Sequence, residues 1–408
     1  MSRVLLLTFW LLGSCAQAGG FDNSGRPFDI IFGDDNALQL NFKYILPLID
    51  LKVSRDLGQG PIMSDVIVDE IVSDFVDGMF GFRWQVWDDL NCAVQWERPF
   101  RFQTAYPDDQ LSYQSDSLDP QSQVPAPIDS EYDSQSISLG CRLAINFRHE
   151  TGVFSASRLS LIAGPKYQFI QGRFSADLSR YKLGEQDNYR ARLDGSKEWA
   201  YLLGLAYEIP ELAFRLAVFF HNEVEHTLTG LAYAPVPDFS STISHPLRGK
   251  TVTPKAVNIS LQSGIAEDWL AFLNLRWGDW SSVDEIIVEA GPLSQQLTLF
   301  ANDSLNYEIG LGVRMSDRLN MGAQFASLIE LNEPDLPDGL AGTNLRNPQG
   351  ERYSLAFGGN YAFNSAIKLG LSASYYYLQH GRFSDNAYTV DLETSHALVL
   401  SATLNYVF

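Results

Sequence analysis

The sequence predicts an all-β fold: a transmembrane antiparallel β-barrel of about fourteen strands with a short N-terminal hatch segment in its lumen. Three observations predict it. Apolar and polar residues alternate over stretches of about ten residues, the length of a tilted membrane-crossing strand. The connections between these stretches alternate between short and long. Beyond the N-terminal leader, no apolar run approaches the roughly 18 residues of a spanning helix.

The leader comes first. Arg3, the apolar run Val4–Leu12 and Ala16-Gln17-Ala18 form the charged, apolar and small-x-small parts of a secretory signal, residues 1–18. Cleavage after Ala18 would leave Gly19 first. Leu12-Gly13-Ser14-Cys15 also resembles a lipoprotein box, which would make Cys15 a lipidated first residue. Residues 19–37 alternate little and are too short for a domain. They either fold into the lumen as a plug, for which a barrel of this size has room, or hang in the periplasm. The barrel itself takes residues 38–408.

Its strands begin near Leu38, Met79, Asn91, Asp133, Arg158, Glu198, Leu212, Thr251, Asp268, Ser304, Leu319, Glu351, Ala366 and Tyr388. The cleanest runs from Leu305 to Met315. Leu305, Tyr307, Ile309, Leu311 and Val313 share one phase, and Asn306, Glu308, Gly310, Gly312 and Arg314 the other. At the C-terminus Leu398, Leu400, Leu404, Tyr406 and Phe408 alternate with Ser401, Thr403 and Asn405. A soluble sandwich also alternates, but its strands are shorter. Short turns at Trp87–Leu90, Ile209–Glu211, Gly264–Asp268, Met315–Arg318 and Ala362–Ser365 separate long acidic stretches: 51–76, 104–131, 175–197, 225–250, 281–303 and 332–349. Short turns on one side and long loops on the other are the outer-membrane pattern.

Composition narrows the function classes. Aromatics are 12% of residues, more than a soluble core needs and suited to interfacial girdles. A formal charge of -20 offers no basic surface to phosphates, which argues against nucleic acid. Asp65, Asp69, Glu70, Asp74 and Asp77 cluster in a long connection, as a solvated loop face or as ligands for divalent cations bridging to lipid phosphates. Cys92 and Cys141 fall on the lipid phase and read as free thiols, although a bond between them stays open. No cofactor or metal motif is present. His149, His221, His226, His245, His380 and His396 are scattered without a nucleophile motif, which argues against an enzyme.

The lumen phase is mixed. It carries Lys43, Arg83, Glu97, Arg142, Lys166, Glu208, Arg215, Arg276, Glu308, Arg314 and Lys368, but also Ile162, Ile170, Leu202, Phe219, Phe272 and Leu378. Either the charges pair and fill the lumen, or apolar walls with a few fixed polar groups hold a greasy ligand with a polar end. Pro99, within Glu97-Arg98-Pro99-Phe100, cannot donate to a ladder. It either ends the third strand or breaks the wall toward lipid.

Several fragments together resemble the outer-membrane long-chain fatty acid and aromatic hydrocarbon transporter family (FadL-like). They are Tyr207-Glu208-Ile209-Pro210 with Phe214-Arg215-Leu216, Thr253-Pro254 with Arg276-Trp277-Gly278-Asp279-Trp280-Ser281, Tyr361-Ala362-Phe363-Asn364, and the terminal Asn405-Tyr406-Val407-Phe408. Gly19-Gly20-Phe21 resembles that family's mature N-terminus. The resemblance implies a bacterial outer-membrane channel for hydrophobic small molecules, with loop capture, lumenal binding and lateral exit at the third-strand kink where Pro99 falls. It implies a hydrophobic substrate, contact with outer-membrane lipid and lipopolysaccharide, assembly by the barrel machinery, and a monomer. The substrate-binding candidates are Lys166, Arg173, Ile162, Ile170, Phe219, Phe272 and Arg314. Lys166 and Arg173 are the nearest basic residues for a carboxylate. The family's Asn-Pro-Ala hatch motif is absent, and the hatch is short. A surface receptor or adhesin-like barrel and a general diffusion porin are the alternatives.

Overall fold

The computed structural model describes residues 28–56, 61–68, 71–105, 126–148, 155–177, 188–235, 242–282, 286–290, 293–298, 303–331, 352–378, 382–384, 388–392 and 395–408. The signal segment and Gly19, Gly20 and Phe21 lie outside them.

Strand β1 (Ala37–Leu48) is followed by β2 (Leu51–Asp56), β3 (Pro61–Val68) and β4 (Phe75–Trp87). Then come β5 (Leu90–Glu97), β6 (Arg101–Ala105) and three long strands: β7 (Ala126–Arg148), β8 (Ala156–Asp177) and β9 (Asn188–Ile209). The middle of the chain forms β10 (Phe214–His221), β11 (Val224–Pro235), β12 (Thr242–Thr253), β13 (Ala256–Ala266) and β14 (Trp269–Gly278). The hairpin β15 (Ile286–Ala290) and β16 (Leu293–Thr298) precedes β17 (Asp303–Arg314), β18 (Leu319–Leu331), β19 (Arg352–Ala362) and β20 (Ile367–Leu378). Short β21 (Arg382–Ser384) and β22 (Tyr388–Leu392) lead to β23 (Ser395–Val407).

Nineteen of these segments make one antiparallel sheet. The pairs β5–β6, β10–β11 and β12–β13 are each one crossing broken in two, and β15–β16 extends the loop end, which leaves fourteen crossings. The sheet closes where β1 meets β23, from Ala37 opposite Val407 to Leu48 opposite His396. Closure removes both edges, so every crossing has a neighbour on each side.

The alternation places side chains as the sequence predicts. On β17, Ser304, Asn306, Glu308 and Gly310 are buried, while Ile309 and Leu311 are exposed. Leu161, Leu203, Leu205, Leu355 and Phe357 are about half exposed or more on the outside, while Lys43, Arg83, Asn91, Gln95 and Arg142 are buried within. An apolar exterior of this extent has no place in water and matches lipid.

Three details differ from expectation. The connections read as loops hold strands: β2 and β3 join β22 and β21 in a separate four-stranded sheet of order β21–β22–β2–β3, and 225–250 is largely the hairpin β11–β12. The last crossing starts at Ser395, because Tyr388–Leu392 belongs to that smaller sheet. Cys92 and Cys141 are not free thiols. They stand directly opposite on β5 and β7 and form a disulfide. The expected lipid phase holds for both, since Cys141 alternates with buried Gly140 and Arg142.

Candidate functional site

One strand gives the plan of the lumen. The inward residues Ile162, Lys166 and Ile170 of β8 are spaced four apart, about 13 Å per step. Ile162 joins a lower apolar cluster, Lys166 lines a polar waist, and Ile170 joins an upper apolar cluster.

The lower cluster is built around the segment before β1. Phe28, Ile30, Ile31 and Phe32 pack against Ala93, Ile162, Leu202, Ala206, Ala217 and Phe219 of the wall. Phe32 meets Phe219 edge-on at 6.1 Å. Two wall glycines make the room: a Cβ at Gly81 would lie 2.5 Å from Ile30 Cδ1, and one at Gly140 2.7 Å from Phe28 Cε1. Arginines hold the same segment. Arg83 donates from Nε to the Asp35 carbonyl at 2.7 Å, and from Nη1 to the carbonyls of Ile30 (3.0 Å) and Phe32. Arg158 pairs with Asp34 at 2.8 Å, and Arg215 with Asp29 at 3.8 Å. Arg215 also lies over the Phe32 ring at 4.3 Å. Burial pushes the Asp29 carboxyl above its usual range, and the Arg215 charge offsets only part of that.

The waist is a cavity lined by Glu97, Phe100, Lys166, Gln168, His221 and Arg276, among others. Lys166 Nζ is 3.6 Å from Glu97 Oε1, and Glu97 also accepts from Gln95 Nε2 (3.1 Å) and Ser136 Oγ (3.4 Å). Arg276 donates to Asn258 at 2.9 Å. Gln168 Nε2 and His221 Nδ1 are buried there without a hydrogen-bond partner among the described residues, which leaves two polar atoms for a guest. The free volume is about 20 Å³, room for a water and not for a hydrocarbon. A larger guest must displace side chains.

Above the waist, Phe100, Ile170, Ala191, Leu193, Leu228, Ala232, Leu247 and Trp280 form the upper cluster. Phe100 meets Trp280 edge-on at 6.0 Å. Phe100 belongs to the break in the third crossing. Glu97 pairs with Ser136 and Arg101 with Asp133, so three residues stand against two. Pro99 has no N–H to give, and the Phe100 N–H bonds instead to Ser134 Oγ at 2.8 Å. On the other side, β5 pairs with β4 only as far as Met79 opposite Glu97. Beyond that point Arg101 bridges to the Val76 carbonyl at 3.0 Å and covers the Phe75 ring at 4.7 Å.

The expected site residues therefore part company. Lys166 lines the cavity with Glu97 and Phe100, Arg98 pairs with Asp133 at 3.8 Å, and Pro99 sits at the break. Ile162 and Phe219 serve the lower cluster, and Ile170 the upper. Phe272 lies over Gly310, nearer the short turns. Arg314 is bound to Asp268 at 2.6 Å beside a short turn. Arg173 is exposed and paired with Glu131, outside the cavity. Sequence reasoning did not single out Arg276, Gln168 and His221 as site residues. The signal was present for Arg276, which lies on the lumen phase.

Comparison with solved structures finds the same fold. A Pseudomonas aeruginosa FadL homologue superposes with TM-score 0.70 at 13% identity, over 97% of this chain and 95% of that one. The Pseudomonas putida toluene transporter TodX gives 0.59 at 12% identity over 92% and 91%. The Ralstonia pickettii toluene transporter TbuX gives 0.56 at 13% over 92% and 90%. No protein-family model and no curated protein matches the chain.

Proposed function

We propose that this chain is an outer-membrane channel for hydrophobic small molecules that carry one polar or anionic end. Such a molecule is captured at the long loops, held at the waist and released sideways at the break in the third crossing. The observation that carries this reading is the position of the cavity. It lies between two apolar clusters, offers two cations against one carboxylate, and has Glu97 and Phe100 of the broken strand in its lining. Apolar surface above and below suits a chain or ring, and Lys166 and Arg276 suit a carboxylate. The fold shared with toluene transporters supports the same class of cargo. A general diffusion pore would not need apolar clusters across its lumen.

The test is uptake in a strain lacking the chain. Entry of labelled long-chain fatty acid should fall while entry of a small sugar stays level, and the reverse result would overturn the reading in favour of a porin. Lys166→Met with Arg276→Met should raise the half-saturating concentration for a fatty acid more than for an alkylbenzene. Equal effects on both would remove the anionic end from the proposal.

A further inference from the structure

The wall has a second break, between the sixth and seventh crossings. β9 pairs with β10 from Ile209 opposite Phe214 to Leu202 opposite His221. It pairs again with β11 from Asp194 opposite Thr229. Eight residues separate the two points on each strand, so the register is the same above and below. Between them, 195–201 and 222–228 form no ladder.

The cause is legible in the burial pattern. On β10 the odd residues Ala217 and Phe219 face inward. On β11 the even residues Val224, His226 and Leu228 do, so the crossing changes phase at Asn222–Glu223. β9 makes its own change lower in sequence: Leu202, Ala200 and Ser196 face inward, then Leu193 and Ala191. Between the two changes the neighbours are out of step by one residue. A one-residue slip turns every side chain to the wrong face, so the ladder cannot form. The ladder stops there and resumes, with His226 Nδ1 3.3 Å from Ser196 Oγ across the gap near its upper end. Asn222 closes the lower end, where its Oδ1 accepts from the Tyr201 N–H at 2.7 Å.

The slit coincides with the waist. Ala200, Tyr201, Asn222 and Val224, on its two lips, line the same cavity as Lys166 and Arg276. Its level in the wall is marked from outside. Below it Leu203 and Leu205 are exposed and apolar; at its lips stand Trp199 (70% exposed), Tyr201 and the Glu225–Lys250 pair at 2.9 Å; above it Arg192 pairs with Asp194 at 3.4 Å in solvent. Exposed Trp and Tyr between an apolar band and charges mark a membrane interface.

We infer that this slit is a second membrane-facing opening, through which amphiphilic molecules exchange between the outer-leaflet interface and the waist cavity. Tail and head then have separate surfaces, the apolar band below and the charged strands above. This rests on the proposed role of the cavity as the cargo site.

The experiment uses the full-length protein in proteoliposomes with a membrane-dissolved pyrene maleimide. Ala200→Cys reports access from lipid to the cavity. Adding Trp199→Cys and Glu223→Cys, joined beforehand by a short bis-maleimide, closes the slit, and labelling is scored only against the Ala200→Cys thiols that a titration after unfolding shows the cross-linker left free. A control joins Leu203→Cys to Phe220→Cys, where the strands already pair. Closing the slit should slow labelling of Ala200→Cys by an order of magnitude and lower fatty acid uptake, and the control should do neither. Labelling that persists after closure, or that the control blocks equally, overturns the opening. If the unmodified protein takes up no hydrophobic compound, the transport proposal fails, and the labelling result still decides whether the slit reaches lipid.

Discussion

The lower and upper clusters of the lumen are similar in composition and opposite in construction. The upper one is made by the wall itself: all but Trp280 and Phe100 of its buried members stand on strands, and those two sit where crossings break or end. The lower one depends on a separate segment, 28–36, inserted among wall residues and gripped by Arg83, Arg158 and Arg215. Removing the upper cluster means distorting the barrel. Removing the lower one means releasing a segment from a barrel that stays paired. The cavity thus lies between a cluster fixed in the wall and one that depends on segment 28–36, which we propose acts as a detachable hatch.

Breaking the detachable barrier should have the larger effect. Arg83→Met deletes three charge-assisted hydrogen bonds to carbonyls of segment 28–36, each worth about 1.5–3 kcal/mol, so docking of that segment should weaken by roughly 5–9 kcal/mol. Single-channel conductance in planar bilayers should rise sharply. The temperature at which the barrel loses its compact form on a detergent gel should not change, because no wall ladder is touched. Conductance at the parent level would show that the arginines do not hold the hatch.

The upper barrier should respond the other way. Trp280→Ala removes the ring that packs on Phe100 and should cost about 3–5 kcal/mol. The cost falls on the wall, so the unfolding temperature should drop while conductance stays low, with the hatch still in place. A rise in conductance without a loss of thermal stability would erase the distinction between the two barriers.

The sequence foretold the wall better than the breaks. Alternation on β17 or β23 assigned the lumen phase because lipid outside and polar groups inside give neighbouring positions opposite chemistry. That contrast disappears where strands project beyond lipid. Glu225 and Lys250 on the outside of β11–β12 look like loop residues although they sit on strands. Pro99 announced the first break because proline lacks a donor. The second carries no such residue, since a phase change at Asn222–Glu223 shows only when burial is known. The Cys92–Cys141 bond was hidden because a long connection leaves register to tertiary packing. Arg173 was legible and misread: on the phase of Ile162, Lys166 and Ile170, an odd number on β8 points outward.

The smallest expected effect separates burial from charge within the lower barrier. Asp29 is held near Arg215, yet burial keeps its carboxyl above the usual range. A raised carboxyl pKa favours the docked hatch most at pH below the ordinary aspartate value, and that advantage is lost as pH rises through the docked value. Conductance of the parent protein should therefore climb modestly as pH is raised from about 3.5, a little below the ordinary Asp value, toward neutrality. Asp29→Asn should flatten that climb, and comparing the two proteins cancels the other carboxylates of segment 28–36 and the wall around it. If the asparagine variant is instead the leakier at neutral pH, the Arg215 ion pair outweighs the burial cost. The hatch would then be held by charge at both ends, and Arg215→Met should match Arg83→Met.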